Sequence, residues 1–514
     1  MKQEANKLRT RREFLATVGA VGAVSAMPRG MFAQVGGEDA GLEARLAKDP
    51  MRPQFHLLPA RNWMNDPNGP IYFEGNYHMF FQYNPLAATW GDMSWNHAIS
   101  KDMLHWQHLP VAMTPTPGGD DSFGVFSGSA IAVGKRVYAV YTGTKKSGSD
   151  LATIRDGANN IQESQCLAWS DDPKLARWTK AAQPIVPRPP AGMEITGFRD
   201  PSAWKQGDWY YMTVGSGVEN VGGCVLLYRS KVGGDLTQWE YLHKLTSGEW
   251  DGKKTANPCD DGEMWECPEF FALGDGHVLI YSTLGKVFWE SGVLDEASMT
   301  FKPKKKGELD LGAFYAPKTQ LDAQGRRILW GWIQERRNDD AMRAAGWSGM
   351  MSLPRVLTLD ADGTLRIQVL PQVDTLRAGK LPYQESREGA TRILPAATGE
   401  FLCSGKKGQA FTLTVNDGEE LVHVSYSPET HSFVADGKEI MLEPGDAPTV
   451  HAFVDGSVIE LILGERIGYT KRFYYTAAVA PDIIMHASGA GMTLDAWKIA
   501  PISGNRLTTP ARTA

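Results

Sequence analysis

The sequence predicts an all-β protein: a five-bladed β-propeller followed by a C-terminal β-sandwich. Three observations lead there. A unit of motif, strand, glycine turn and returning strand recurs five times between residues 55 and 365. The 514 residues include 54 Gly, 16 Trp and 16 Tyr, which suits turn-rich, aromatic sheets. Beyond about residue 365 the motifs stop, and from Glu400 onward short alternating strands with close turns take over.

The first unit opens at Asn65-Asp66-Pro67-Asn68, turns at Glu74-Gly75-Asn76 and returns through Tyr77–Phe81. The second opens at Phe126-Ser127-Gly128-Ser129 and returns through Val137–Tyr141. The third opens at Phe198-Arg199-Asp200-Pro201 and returns through Trp209–Met212. The fourth opens at Trp265-Glu266-Cys267-Pro268 and returns through His277–Tyr281. The fifth opens at Phe314-Tyr315-Ala316-Pro317 and returns through Arg327–Trp330. Aligned at Asp66, Ser127, Asp200, Glu266 and Tyr315, the units are spaced by roughly 60 residues, which fits a four-stranded blade with generous loops. A weaker outer repeat ends in Trp106, Trp178 and Trp239. The first strand of a blade lines the channel, so all five motifs should converge at one mouth. The Asn-Asp-Pro-Asn-Gly run reads as tight turns that place Asp66 just before the strand Ile71-Tyr72-Phe73.

The flanks divide the rest. Arg11 and Arg12 precede a small-residue apolar run from Phe14 to Met27, the pattern of a twin-arginine export signal. That run is too short for a membrane span. The expected organisation is a signal over 1–33, a loose leader over 34–54, the catalytic propeller over 55–365, a polar linker over 366–395 and the sandwich over 396–505. The twin-arginine machinery is the expected export partner, and the expected location is periplasmic or extracellular. The sandwich shows no catalytic cluster and reads as a structural or sugar-binding module. A net charge of −6 without a basic cluster argues against a nucleic-acid surface. Five cysteines without a CxxC pair argue against a disulfide framework and a zinc site. Cys259 and Cys267 are near enough in sequence to bridge, but nothing requires it.

Three opening motifs carry carboxylates: Asp66, Asp200 and Glu266. Like charges gathered at a channel mouth repel, so the group needs a metal or a reaction. Calcium takes about six to eight oxygens, and these acids are flanked by Pro and aromatic residues instead. Neither a metal nor another cofactor is expected. Glycosyl transfer needs one acid to protonate the leaving oxygen and one carboxylate to attack or to activate water. Glu266, between Trp265 and Cys267-Pro268, reads as the protonated acid in an apolar setting. Asp66, among amides and Asn side chains, reads as the ionised nucleophile. Arg199 beside Asp200 reads as the group that holds that carboxylate ionised. Ser127 lacks a neighbouring His motif, which argues against a serine nucleophile. Trp95 reads as core and His97 as a structural hydrogen-bonding group.

These motifs, together with Trp63-Met64 and Gln82-Tyr83-Asn84-Pro85, resemble glycoside hydrolase family 32, the invertases, inulinases, levanases and fructan exohydrolases. The resemblance covers about residues 55–505 and implies a cofactor-free, retaining β-fructosidase acting on sucrose or fructans. It implies Asp66 as nucleophile, Glu266 as acid/base and Asp200 as transition-state stabiliser. It also implies a fructose pocket lined by Trp63, Asn65, Gln82, Trp90, Phe126, Ser127 and Arg199, with help from Tyr315 and Trp332. Asn96, Lys318 and Met350-Met351 depart from the family pattern, and the expectation is that they reshape the leaving-group side. A fructosyltransferase is the alternative enzyme, and intact Trp63 favours hydrolysis over it. A non-catalytic sugar-binding propeller would have lost one of the acids, and all three are present.

Overall fold

The opening motifs lie inside strands, not in turns ahead of them. The computed structural model describes residues 36–504, apart from 157, 158, 383, 387 and 388. The export signal expected over 1–33 lies outside the described residues. Blade 1 comprises Asn62–Phe73, Asn76–Asn84, Ser94–Ser100 and Trp106–Met113. Blade 2 comprises Gly124–Val133, Arg136–Lys146 and Asn159–Ser170, with edge pieces Ile154–Asp156 and Thr179–Lys180. Blade 3 comprises Ile195–Gln206, Trp209–Val218, Gly222–Lys231 and Glu240–Ser247. Blade 4 comprises Glu266–Leu273, Gly276–Thr283, Lys286–Asp295 and Thr300–Asp310. Blade 5 comprises Phe314–Leu321, Arg327–Ile333, Arg355–Leu359 and Leu365–Val369. The first strands touch one another in a closed ring, blade 1 against blade 5. Trp347–Ser348 pairs with the first strand of blade 1, and Met350–Met351 pairs with the second strand of blade 5, so one short segment fastens the two ends.

A shared irregularity explains why turn-forming residues sit in strands. In every blade, two residues of the first strand oppose one residue of the second. The doubled pairs are Asn65-Asp66, Phe126-Ser127, Asp200-Pro201, Cys267-Pro268 and Ala316-Pro317. These are β-bulges, which bend the strand and re-aim its side chains. Asp200, Cys267 and Ala316 hold left-handed backbone at φ 64°, 49° and 51°. The bulge, rather than a turn, uses the Asn, Asp and Pro of these motifs.

The outer repeat has its own geometry. Met103, Leu175 and Leu236 adopt φ 66°, 52° and 61°. The indole Nε1 of Trp106, Trp178 and Trp239, each three residues later, donates to their carbonyls at 3.1, 2.8 and 2.8 Å. The indoles then pack between blades: Trp106 lies 5.7 Å from Trp330, and Trp178 lies 5.4 Å from Phe80.

Two segments differ from the sequence expectation. Within the leader, Gly36–Lys48 is a helix, and its Leu46 is buried against Leu58, Ile333, Trp347, Met350 and Val458. One anchoring Leu in a polar helix gave little apolar signal. The linker contains the last strand of blade 5, a 3-10 turn over Pro371–Leu376 and sandwich strands Arg377–Lys380, Gln384–Ser386 and Gly389–Leu394. Arg377–Lys380 is a largely exposed edge strand, which is why its residues read as a loop. The sandwich has two sheets. One runs Ile467–Arg472, Val458–Leu463, Thr449–Asp455, Thr398–Ser404, Thr493–Ile499, Arg377–Lys380. The other is built around Ile483–Gly489, Phe411–Asn416 and Glu420–Ser427. The last strand of blade 4 meets the first of these sheets at Asp310 and Gly468.

Candidate active site

The bulges bring the three acids to one end of the channel. Asp66 and Asp200 are fully buried, and Glu266 is 3 % exposed. Asp66 accepts from Asn65 Nδ2 at 3.0 Å and from Ser127 Oγ at 2.5 Å. Asn65 is itself oriented by Trp63 Nε1, which donates to its Oδ1 at 2.6 Å. Trp63 meets Trp332 edge to face, with centroids 5.8 Å apart. Asp200 Oδ2 accepts from the Cys267 amide at 3.1 Å and the Cys267 thiol at 3.3 Å, while the Asp200 amide donates to Thr142 Oγ1 at 2.9 Å. The same thiol lies 3.7 Å from Asp66 Oδ2. One cysteine on blade 4 thus bridges acids from blades 1 and 3. Ligand atoms of Asp66, Asp200 and Cys267 lie within 4.8 Å of one another. Two carboxylates and a thiol fall well short of the about six to eight oxygens calcium takes.

Glu266 has different company. Arg199 Nε donates to its Oε1 at 2.9 Å, and the Tyr315 hydroxyl donates to its Oε2 at 2.9 Å. Burial, and then the nearby Glu266 charge, push the Tyr315 phenol well above its ordinary pKa, so it stays a donor. Burial alone would lower the Arg199 pKa, but the carboxylates of Glu163 and Glu266 outweigh it and hold it well above the ordinary value. Two sequence expectations are therefore corrected. Glu266 sits between polar donors rather than in an apolar setting, because Trp265 stacks on Tyr281 at 3.8 Å and leaves the carboxylate to the channel. Arg199 donates to Glu163, Glu266 and the Cys259 sulfur, at 3.0, 2.9 and 3.1 Å, and its charge acts on Asp200 more weakly than on Glu163 and Glu266. Neighbours along a strand point in different directions, so adjacency in sequence does not pair them.

The remaining expected pocket residues gather around these acids. A recess is formed by Asn65, Gln82, Trp90, Met93, Phe126 and Ser127. Gln82 Nε2 donates to the Val125 carbonyl at 3.0 Å and ties blade 1 to blade 2. Trp90 and Phe126 pack edge to face at 6.0 Å. An adjoining pocket of about 180 Å³ is lined by Trp90, Phe126, Thr153, Arg155, Arg199 and Lys254, among others. Trp95 is core, and its Nε1 donates to the Phe126 carbonyl at 2.9 Å. Asn96, Lys318, Met350 and Met351 are all buried and none lines that pocket, so they do not shape it directly. Lys318 instead pairs with Glu269 at 3.0 Å, deeper in the channel. Thr142, Glu163, Cys259 and the bridging role of Cys267 were missed from sequence. Only Cys267 carried a signal, its place inside an opening motif.

The profile described as Glycosyl hydrolases family 32 N-terminal domain matches residues 56–369. A raffinose invertase of Escherichia coli is 38% identical over 472 residues, covering 85% of this chain and 92% of that protein. A sucrose-6-phosphate hydrolase of the same species is 32% identical over 467 residues, with the same coverage. Among solved structures, a variant of the GH32 beta-fructofuranosidase of Bombyx mori in complex with sucrose superposes with a TM-score of 0.76 at 27% identity, covering 92% of this chain and 98% of that one. Fructan 1-exohydrolase IIa of Cichorium intybus gives 0.71 at 25% identity, covering 88% and 98%. With a propeller-and-sandwich fold, three buried acids at one channel mouth and these relatives, the chain belongs to glycosyl hydrolase family 32 and is a glycosidase acting on fructosides.

Proposed function

We propose that this protein is an exported, retaining β-fructofuranosidase that releases terminal β-D-fructosyl units from sucrose and from fructans such as inulin and levan. The observation that carries the reading is the contrast between the two acids. Asp66 faces neutral donors, Asn65 and Ser127, whereas Glu266 is bracketed by Arg199 and Tyr315. Asp66 attacks the anomeric carbon while Glu266 protonates the leaving oxygen. A fructosyl-enzyme forms, and Glu266, now ionised, activates water to resolve it with retention. Asp200, fixed by Cys267, meets fructose hydroxyls in the transition state. The raffinose invertase and the sucrose complex of the Bombyx mori relative support the substrate class. The test is the product profile on sucrose, inulin and levan. Fructose alone supports the reading; a ladder of oligomers would mean endo-cleavage or transfer.

A second reading rests on the pocket beside the acids. Arg155 and Lys254 line it, and several relatives are named sucrose-6-phosphate hydrolases. Lys254 is partly committed to Glu219, 3.0 Å away. Comparing kcat/KM on sucrose and on sucrose 6-phosphate separates the readings; a large preference for the phosphorylated sugar would favour the second. Export is tested apart from catalysis. Replacing Arg11 and Arg12 with Lys should block processing of the precursor, and normal export of that variant would refute this part of the proposal.

A further inference from the structure

Glu163 lies on the third strand of blade 2, outside every opening motif, and is fully buried. One oxygen accepts from Arg199 at 3.0 Å. The other accepts from the Phe198 amide and from Thr153 Oγ1, each at 2.8 Å. Three donors on two oxygens fix the carboxylate rigidly. Arg199, in turn, spans Glu163 and Glu266 with separate nitrogens. We propose that Glu163 is a positioning residue for the reaction: it anchors the Arg199 guanidinium and offsets its charge, which lets Glu266 carry the proton it must donate. The inference rests on the reading of Glu266 as acid/base.

A buried guanidinium beside a carboxylate strongly favours the ionised carboxylate. Without Glu163, Arg199 would keep only the weaker pull of Asp200 whenever Glu266 took up a proton, and a poorly compensated buried charge is costly. With Glu163 in place, Arg199 keeps a partner in both states of Glu266. Other groups surround the acid. Tyr315 reaches it from blade 5. The Cys259 thiol reaches Arg199 from the loop before blade 4. Asp66, Asp200 and Cys267 lie across the channel mouth, and Lys318 with Glu269 lies below. Glu163 and Glu266 both form ion pairs with Arg199, at 3.0 and 2.9 Å.

The test is Glu163→Gln, which keeps the shape and removes the charge. The alkaline limb of kcat/KM on sucrose should move to lower pH by about one unit, because Glu266 then loses its proton more readily. Activity on sucrose at neutral pH should fall about tenfold. An aryl fructoside with a low-pKa leaving group needs little protonation and should lose far less. The ratio of the two substrates, measured on one preparation, does not depend on how much protein is folded. Equal losses on both substrates with an unmoved limb would make Glu163 a structural anchor only and overturn the proposal. A limb moved to higher pH would overturn it too. Glu266→Ala, measured in parallel, separates the two layers of argument. If that variant shows no preference for the better leaving group, the acid/base reading falls and takes the proposal with it. If it shows the preference and Glu163→Gln does not, only the role of Glu163 falls.

Discussion

Asp66 and Glu266 differ less in burial than in what touches them, and their substitutions should differ in kind. Asp66→Ala removes the attacking atom and should leave almost no activity on any substrate. Glu266→Ala removes leaving-group assistance, worth about 10²–10⁴-fold where the leaving group is poor. It should retain more activity on an activated aryl fructoside than on sucrose, and added azide should intercept its fructosyl-enzyme. Kinetics of both variants on both substrates decide this. Rescue of Asp66→Ala by the better leaving group would reverse the assignments. Asp200 takes two hydrogen bonds from Cys267, and through that thiol it lies one sulfur away from Asp66. An interaction made mainly in the transition state lowers kcat and kcat/KM together. Asp200→Asn should do so, and a rise in KM alone would make it an ordinary ground-state contact.

At the scale of the element, the recurring bulge is what the sequence announced and what it concealed. The five motifs were legible because a bulge with a left-handed residue followed by Pro, or with Asn-Asp or Phe-Ser, needs unusual residues in a strand. Their register is carried by residues other than the acids. Aligning the motifs by their acids set Glu266 opposite Asp200, whereas the bulges align Cys267 with Asp200 and Glu266 with Arg199. In three blades the second bulge residue is a proline, Pro201, Pro268 or Pro317, so those prolines carry the register, and alignment on the carboxylates passes over it. Glu163 and Cys259 were illegible for another reason. Glu163 lies on a third strand with no Gly or Pro beside it, and Cys259, although it follows Pro258, lies in a loop outside the repeat; both meet the site through Arg199. Close backbone approach also positions the fourth motif. A Cβ on Gly223, in the third strand of blade 3, would lie 2.0 Å from the Trp265 ring, and one on Gly215 would lie 2.5 Å from the Trp265 carbonyl. Gly223→Ala must therefore displace the indole that precedes Glu266. Denaturant unfolding should show a loss of about 1–3 kcal/mol, with kcat reduced alongside. Unchanged stability and activity would mean that Trp265 is not held by this contact.

At the scale of the molecule, propeller and sandwich are joined by a buried charge network whose keystone is His56. It stands at the entry to the propeller, and its partners lie on a sandwich hairpin. Nδ1 faces Asp455 Oδ2 and Nε2 faces Glu460 Oε1, both at 2.8 Å. Arg355 of blade 5 spans from Glu460, at 2.6 Å, to Asp310, at 2.9 Å. Both ring nitrogens can donate only in the imidazolium. Burial would lower the His56 pKa, but Asp455 and Glu460 outweigh it and raise it from 6.5 to about 9. The folded value lies above the unfolded one, so the stability it supplies is complete below about pH 6.5, declines between 6.5 and 9, and is gone above about 9. A difference of that size is on the order of 3 kcal/mol. His78 and His108 act on the opposite side. Burial lowers each to about 4, so their contribution is present above 6.5 and lost as pH falls toward 4. Above pH 6.5 they are constant, and the thiols of Cys166, Cys224 and Cys403, pushed up by burial from 9.0, begin to cost stability only above about pH 8, which leaves the window from 6.5 to 8 to His56. The melting temperature of the wild-type protein should therefore fall as pH rises from 6.5 to 9. In His56→Gln the melting temperature should start lower, since two buried carboxylates lose a cationic partner, and should change little between pH 6.5 and 8. A variant that keeps the full wild-type slope would show that the alkaline loss of stability arises elsewhere in the molecule.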